Sequence, residues 1–239
     1  MPPQSPLADL RLEASLLSPG EATALVEAGI EDGFTVLALN RSLTPREPYV
    51  PVALTRAFDP TLVALLQRVT LLVANEEELR AARARLSELS RVADLVAVEF
   101  SQPEPFEAFL RANEGFGDDL LAVDVRGFAP SAAALKQLLT RPLCLELTYA
   151  PIIEAADRRK PLANALRVLG SHLSRVALSS AAAAVYERRT PKELCEFLRG
   201  LGGDALARRL PRLCGAAPCE VVQRARFRRE GFAAAVGPK

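Results

Sequence analysis

The segment VTLLVANEEELRAARARLSELSRVADLVAV, residues 69–98, decides the fold. Val69–Ala74 is an apolar run of strand length, and Val92–Val98 is another. Between them Asn75 caps a helix. Glu76, Glu77 and Glu78 crowd its first turn and Arg80, Arg83 and Arg85 follow, the order that the helix dipole favours. Two strands joined by one amphipathic helix make a βαβ unit, and strands without polar alternation are buried on both faces.

The same rhythm continues in both directions. Leu7–Leu12 is a first, weaker strand, and Ser18-Pro19-Gly20-Glu21 has the cap, proline and reciprocal glutamate of a helix start. That helix is expected to reach about Glu31, with Gly33 ending it. Phe34–Leu39 is the second strand, closed by Asn40, and a proline-broken loop spans Thr44–Pro51. Leu120–Val125, Leu143–Leu147 and Val176–Ser180 are the fifth to seventh strands, with helices expected near 104–113, 131–139 and 153–171. Such repeats call for a parallel sheet with right-handed crossovers. A closed TIM-type barrel and a doubly wound open sheet both satisfy the periodicity.

Beyond Ser180 the pattern changes. Ala181–Ala184 is a run of small residues, and Thr190-Pro191-Lys192-Glu193 is another cap-and-proline start. Helices are expected near 191–199, 204–212 and 218–229, separated by Gly202-Gly203 and Cys214-Gly215. Residues 1–239 therefore read as a single α/β domain, with βα repeats over about 7–180 and a closing helical segment over 181–232.

Composition narrows the function. Hydrophobic residues make up 49% of the chain and aromatic ones 5%, so the core must be Leu, Val and Ala, which suits helices packed on a parallel sheet. No apolar run approaches the ~20 residues that cross a bilayer, so a soluble protein without a membrane partner is expected. Met1–Pro6 lacks the basic and apolar pattern of a signal peptide. Cys144, Cys195, Cys214 and Cys219 form no CxxC pair, and there is one histidine; four reduced thiols and no metal or other cofactor are expected. No GxGxxG follows the first strand and no GxxxxGK[ST] occurs, which disfavours dinucleotide and P-loop chemistry.

The net charge of +1 conceals an asymmetry. Residues 188–239 hold 12 Lys and Arg against 5 Asp and Glu, whereas residues 1–187 hold 18 against 24. A basic C-terminal quarter suits an anionic partner.

A hydrolase on this scaffold would draw on groups at strand ends, here Asp9, Asn40, Glu99, Asp124, Glu146 and Ser179-Ser180. Glu146 stands in an otherwise apolar strand and needs a partner if buried, either an arginine or a backbone N–H. It reads as a paired interior carboxylate ahead of a catalytic acid. His172 precedes the seventh strand, the wrong end for barrel chemistry, and reads as structural. Two basic clusters, Arg158-Arg159-Lys160 after the sixth strand and Arg188-Arg189 with Lys192 after the seventh, would place positive charge on one rim.

Ordered blocks carry a resemblance: Ala8-Asp9-Leu10; Gly33 through Asn40; Arg68-Val69-Thr70-Leu71-Leu72-Val73; and Ala93-Asp94-Leu95-Val96-Ala97-Val98. Leu145-Glu146-Leu147-Thr148-Tyr149-Ala150-Pro151-Ile152, followed by Arg158-Arg159, is the most specific, and Val176-Ala177-Leu178-Ser179-Ser180 supplies a strand and double-serine turn. Over about residues 7 to 225 the chain resembles the thirty-kilodalton protein subunit shared by ribonuclease P and ribonuclease MRP, with eukaryotic and archaeal members.

The resemblance implies a TIM-barrel-like fold related to the metal-dependent phosphoesterase barrel, with extra C-terminal helices and without the metal ligands. It implies a non-catalytic subunit in 5′ maturation of precursor tRNA, and in rRNA processing if MRP is included. The partners would be the particle's RNA, precursor tRNA within the complex, a small α/β protein subunit and other subunits. Location would be the nucleus and nucleolus, or the cytoplasm in an archaeon. RNA contacts would fall on Arg158, Arg159, Lys160, Ser179, Ser180, Arg188, Arg189, Lys192, Arg224, Arg228 and Arg229, with no catalytic residue. Where the family carries an Asn-Cys-Arg-like motif this chain reads Pro218-Cys219-Glu220, and the glutamate would repel a phosphate. The alternative is a barrel enzyme acting on a small phosphorylated substrate through Glu146, Asp124 and rim arginines.

Overall fold

The computed structural model describes residues 6–112, 120–123, 130–140, 143–150, 163, 166–167 and 175–236. The expected helix at 153–171 falls almost wholly outside these residues, as do His172, Asp124, Arg158, Arg159 and Lys160.

Among the described residues seven parallel strands follow one another in chain order: β1 (Ala8–Glu13), β2 (Val36–Leu43), β3 (Ala64–Val73), β4 (Leu95–Phe100), β5 (Leu120–Val123), β6 (Cys144–Thr148) and β7 (Val176–Ser179). Helices α1 (Pro19–Glu31), α2 (Glu76–Val92), α3 (Pro103–Arg111) and α4 (Ala132–Leu139) lie between strands. Two more, α5 (Pro191–Ala207) and α6 (Ala217–Val236), come after the last. The sheet curls until its edges meet. Leu12 bridges Ala182, Glu13 N donates to Ala182 O at 2.8 Å, and Ala181 N donates to Arg11 O at 2.9 Å. Of the two topologies open in the sequence, the TIM-like barrel is the one formed.

Local chemistry explains the element ends. Ser18 and Glu21 form the reciprocal box at the start of α1, Thr190 and Glu193 do the same for α5, and Asn75 accepts from Glu78 N at 2.9 Å. Gly33 has φ +88, the left-handed turn that takes the chain from α1 into β2. Most strand ends differ from the pattern reading by a residue or two, and three differ by more. β2 runs past Asn40 to Leu43, and β3 begins at Ala64 rather than Val69, because polar residues inside these strands find partners across the barrel. Arg68 of β3, for one, reaches Glu146 of β6 at 2.6 Å. β4 begins at Leu95 because α2 retains Val92.

In the C-terminal segment the expected helices at 191–199 and 204–212 are joined through Gly202-Gly203, which have non-helical angles, and the break at Cys214-Gly215 is a π-helical turn, Arg212–Ala216. The expected 218–229 helix lengthens into α6.

Two apolar layers result. The larger lies between strands and surrounding helices, through Leu37, Leu39, Val69, Leu71, Val96, Val98, Leu145 and Leu178. The smaller lies inside the barrel at the N-terminal ends of the strands. There Ala8, Leu10, Ala38, Leu66, Ala97, Cys144 and Ala177 meet Val221, Val222 and Ala225 of α6. Helix α6 is the floor of the barrel.

Candidate functional site

Above this floor the interior turns polar. Arg68, wholly buried, forks onto Glu146, also wholly buried: Nη1 donates to Oε1 and Nη2 to Oε2, both at 2.6 Å. Nη1 also donates to Leu10 O at 2.7 Å and Nε to Thr70 Oγ1 at 3.2 Å. Thr70 in turn donates to Asn40 Oδ1 at 2.6 Å. The partner that the Glu146 position demands is therefore an arginine, held bidentately.

One layer nearer the C-terminal mouth, Arg11 pairs with Glu99 and lies 3.5 Å from Glu13. Glu13 accepts from Asn40 Nδ2 and Ser42 Oγ, each at 2.8 Å. An irregularity in β1 between Asp9 and Leu12 lets the strand send Leu10 into the floor while Arg11 and Glu13 reach the mouth network. Among the described residues no group of three or more His, Cys, Asp or Glu is placed to hold a metal ion. The interior carboxylates are engaged by guanidinium and amide donors instead.

Burial pushes Glu146 up, but Arg68 and then Arg11 outweigh it and hold the carboxyl below its ordinary value. Burial likewise opposes ionisation at Glu13, and Arg11 with the Ser15, Ser42 and Asn40 donors prevails. These groups bind protons less readily folded than unfolded. Their stabilisation is complete above the ordinary value of 4.5 and is lost as pH falls through the depressed one. The urea midpoint is expected to drop between about pH 5 and pH 3, and Glu13→Gln to make that drop shallower. An equally steep drop in the variant would remove Glu13 from this account.

The structure gives several of the sequence-nominated RNA contacts other work. Ser179 and Ser180 are 1% and 0% exposed and stand in the barrel seam. Ser180 N donates to Asp9 Oδ1 at 3.0 Å and its hydroxyl to Arg11 O at 2.9 Å, so the double-serine turn closes the sheet. Arg188, 5% exposed, lies 3.3 Å from Asp9 Oδ2 and 3.1 Å from Asp32 Oδ2, with its guanidinium 5.1 Å from the Phe34 ring centre. A Cβ at Gly29 would stand 3.2 Å from Arg188 Nη2 and 2.7 Å from Leu37, so glycine leaves the room this arginine needs. These three side chains are withdrawn from solvent.

Arg189 is half-buried and donates to the carbonyls of Tyr186 and Arg188 at 2.7 and 2.6 Å, while Lys192 is exposed on the first turn of α5. Arg224 and Arg229 are exposed on α6 and Arg228 is half-buried; Arg229 also pairs with Asp94. Among the described residues the nominated positions lie at the seam, at the start of α5 and on the floor helix.

A cleft of about 840 Å³ opens at the C-terminal mouth. Among the described residues its charged lining is Arg11 against Glu13, Glu78, Glu99 and Glu187. Described positive charge gathers instead at the other end, where Arg175, Arg224, Arg226 and Arg229 are exposed. Pattern reading missed Arg11, Arg68 and Phe227. The signal for Arg68 was present, since it is the one charge in a largely apolar strand as Glu146 is in its own, whereas Arg11 alternates with Asp9 and Glu13 along β1.

The family model for the RNase P subunit p30 matches residues 9–230. The chain belongs to the ribonuclease P subunit p30 family. As a p30 member it is a protein subunit of a tRNA-processing ribonucleoprotein. Among solved structures, a chain of archaeal ribonuclease P with mature tRNA superposes with a TM-score of 0.64 at 13% identity, covering 92% of this chain and 91% of that one. The N6-methyl-AMP deaminase of Arabidopsis thaliana superposes at 0.51 with 14% identity, covering 90% and 77%. These likenesses show the barrel fold that the p30 chain shares with an enzyme. Among curated proteins the sequence finds no match.

Proposed function

We propose that this p30 subunit is non-catalytic by itself and binds the RNA of ribonuclease P, together with a small α/β subunit and other proteins, in 5′ maturation of precursor tRNA. The observation that carries this reading is the filled barrel. Glu146 and Glu99 sit inside the barrel, where a barrel enzyme would keep reactive groups, and both are tied to buried arginines. A structurally similar chain occurs in an archaeal particle that holds mature tRNA. Participation in the MRP particle, nuclear and nucleolar residence in a eukaryote, and cytoplasmic residence in an archaeon belong to the same proposal.

Affinity purification of the tagged chain from its native cells tests it. Recovery of one abundant structured RNA, with precursor-tRNA cleavage in the eluate and none from the chain alone, is the expected result. Phosphoesterase turnover by the pure chain, abolished in Glu146→Gln, would replace this reading with that of an enzyme.

A further inference from the structure

The floor helix carries a large apolar side chain that does no work in the core. Val221, Val222 and Ala225 spend the apolar face of α6 on the barrel interior, yet Phe227 is 70% exposed. It borders a groove of about 350 Å³, lined also by Cys144, Arg175, Glu220, Gln223 and Arg224. Residues three and four apart share a helix face. Glu220, Gln223, Arg224 and Phe227 accordingly form one continuous stripe along the groove.

The chemistry of that stripe is specific in kind. A solvated aromatic ring gains by stacking on another flat ring, and arginines beside it attract phosphate. Gln223 offers a donor and an acceptor at fixed positions, and Glu220 an acceptor for an exocyclic amine. Glu220 is also 3.3 Å from Arg212, which offsets the charge that would otherwise repel a phosphate backbone. Protein segments meet lone aromatics too, but positive charge around the ring selects an anion. Double-stranded RNA is read mostly by shape and would leave the ring unused; an unpaired nucleotide would use it.

We propose that the groove beside α6 binds an unpaired nucleotide of RNA, with its base on Phe227, its edge toward Gln223 and Glu220, and its flanking phosphates on Arg175 and Arg224. This rests on the RNA-binding role proposed above and places one contact at the floor of the barrel, opposite the acidic mouth. Glu220, which breaks the family's Asn-Cys-Arg-like pattern, becomes a base-edge acceptor instead of a lost phosphate contact.

Fluorescence anisotropy of the full chain with a labelled short oligoadenylate and with a labelled blunt RNA duplex tests the groove. Phe227→Ala is expected to weaken oligoadenylate binding about tenfold with its salt dependence unchanged, and to leave the duplex alone. Phe227→Tyr restores binding, and Arg224→Ala flattens the salt slope by about 0.7 on the single strand. Circular dichroism confirms that each variant is folded. Oligoadenylate affinity unaltered by Phe227→Ala overturns the groove while leaving the RNA-subunit reading intact. The groove is likewise overturned, in favour of a protein contact, if Phe227→Ala keeps its oligoadenylate affinity but releases a protein subunit from the native particle. Wild-type chain that binds neither probe nor the particle RNA overturns both readings together.

Discussion

Arg68→Ala is expected to lower the unfolding free energy by about 3–5 kcal/mol, the loss typical when one partner of a buried ion pair is removed. Glu146 would be left fully buried without its fork of donors, and Leu10 O and Thr70 would lose partners as well. The cost comes from the orphaned carboxylate more than from the missing attraction. For that reason the double variant Arg68→Met, Glu146→Leu is expected to recover most of the stability, since apolar replacements of similar volume are often neutral or better. Urea denaturation of the three proteins measures this through the midpoint at constant slope. A single-variant loss below about 1 kcal/mol, the range of exposed pairs, would mean that the pair is reached by solvent.

The second large effect is expected at Arg188. Arg188→Ala removes the counter-ion of buried Asp9 and the link from the segment after β7 to α1 through Asp32. A loss of about 3–5 kcal/mol at neutral pH follows from the same reasoning. Burial pushes the Asp9 carboxyl up and Arg188 opposes that push, so its removal raises the Asp9 pKa further. The folded variant then retains the Asp9 proton to a higher pH than the unfolded chain does. Its deficit against the wild type is expected to grow as pH rises from the wild type's already raised Asp9 value toward the still higher one of the variant, and to shrink in acid. The salt dependence of RNA binding, compared at a temperature where both proteins are folded, should not change. A flatter slope would show that Arg188 reaches a phosphate after all.

These two arginines mark the limit of what the chain discloses as text. Apolar runs and caps declare the βα repeats because the helix and strand periods are local properties. Thr190 and Glu193 are three residues apart, and so are Ser18 and Glu21. A lone charge in an apolar strand announces that it has a partner, and Glu146 could be read that far. That the partner is Arg68 depends on how seven strands curl, and the two residues are 78 positions apart. Basic side chains are harder still. Arg188 and Arg189 are adjacent, yet one is nearly sealed between carboxylates and a phenyl ring and the other fastens to two carbonyls. Charge along the sequence cannot separate a solvated arginine from a structural one, and the double serine, readable as a strand end and turn, did not disclose that it borders β1. Phe227 escaped notice because a phenylalanine in an amphipathic helix ordinarily belongs to the core.

The seam has a further consequence for synthesis of the chain. Strands pair in the order in which they are made, so β2 to β7 can each dock as soon as the preceding strand is in place. β1 is paired on one side from the outset and waits on the other. Its second neighbour, the segment at Ser180–Ala182, is 171 residues away at the bond from Ser180 N to Asp9. While that segment is still inside the ribosome, the nascent sheet carries an open edge, the kind that recruits other chains. The floor follows later, when Val221 and Val222 arrive to cover Leu10 and Ala38. Cotranslational folding of this barrel therefore ends with a long-range closure, and the interval before it is when a nascent-chain chaperone has most to protect.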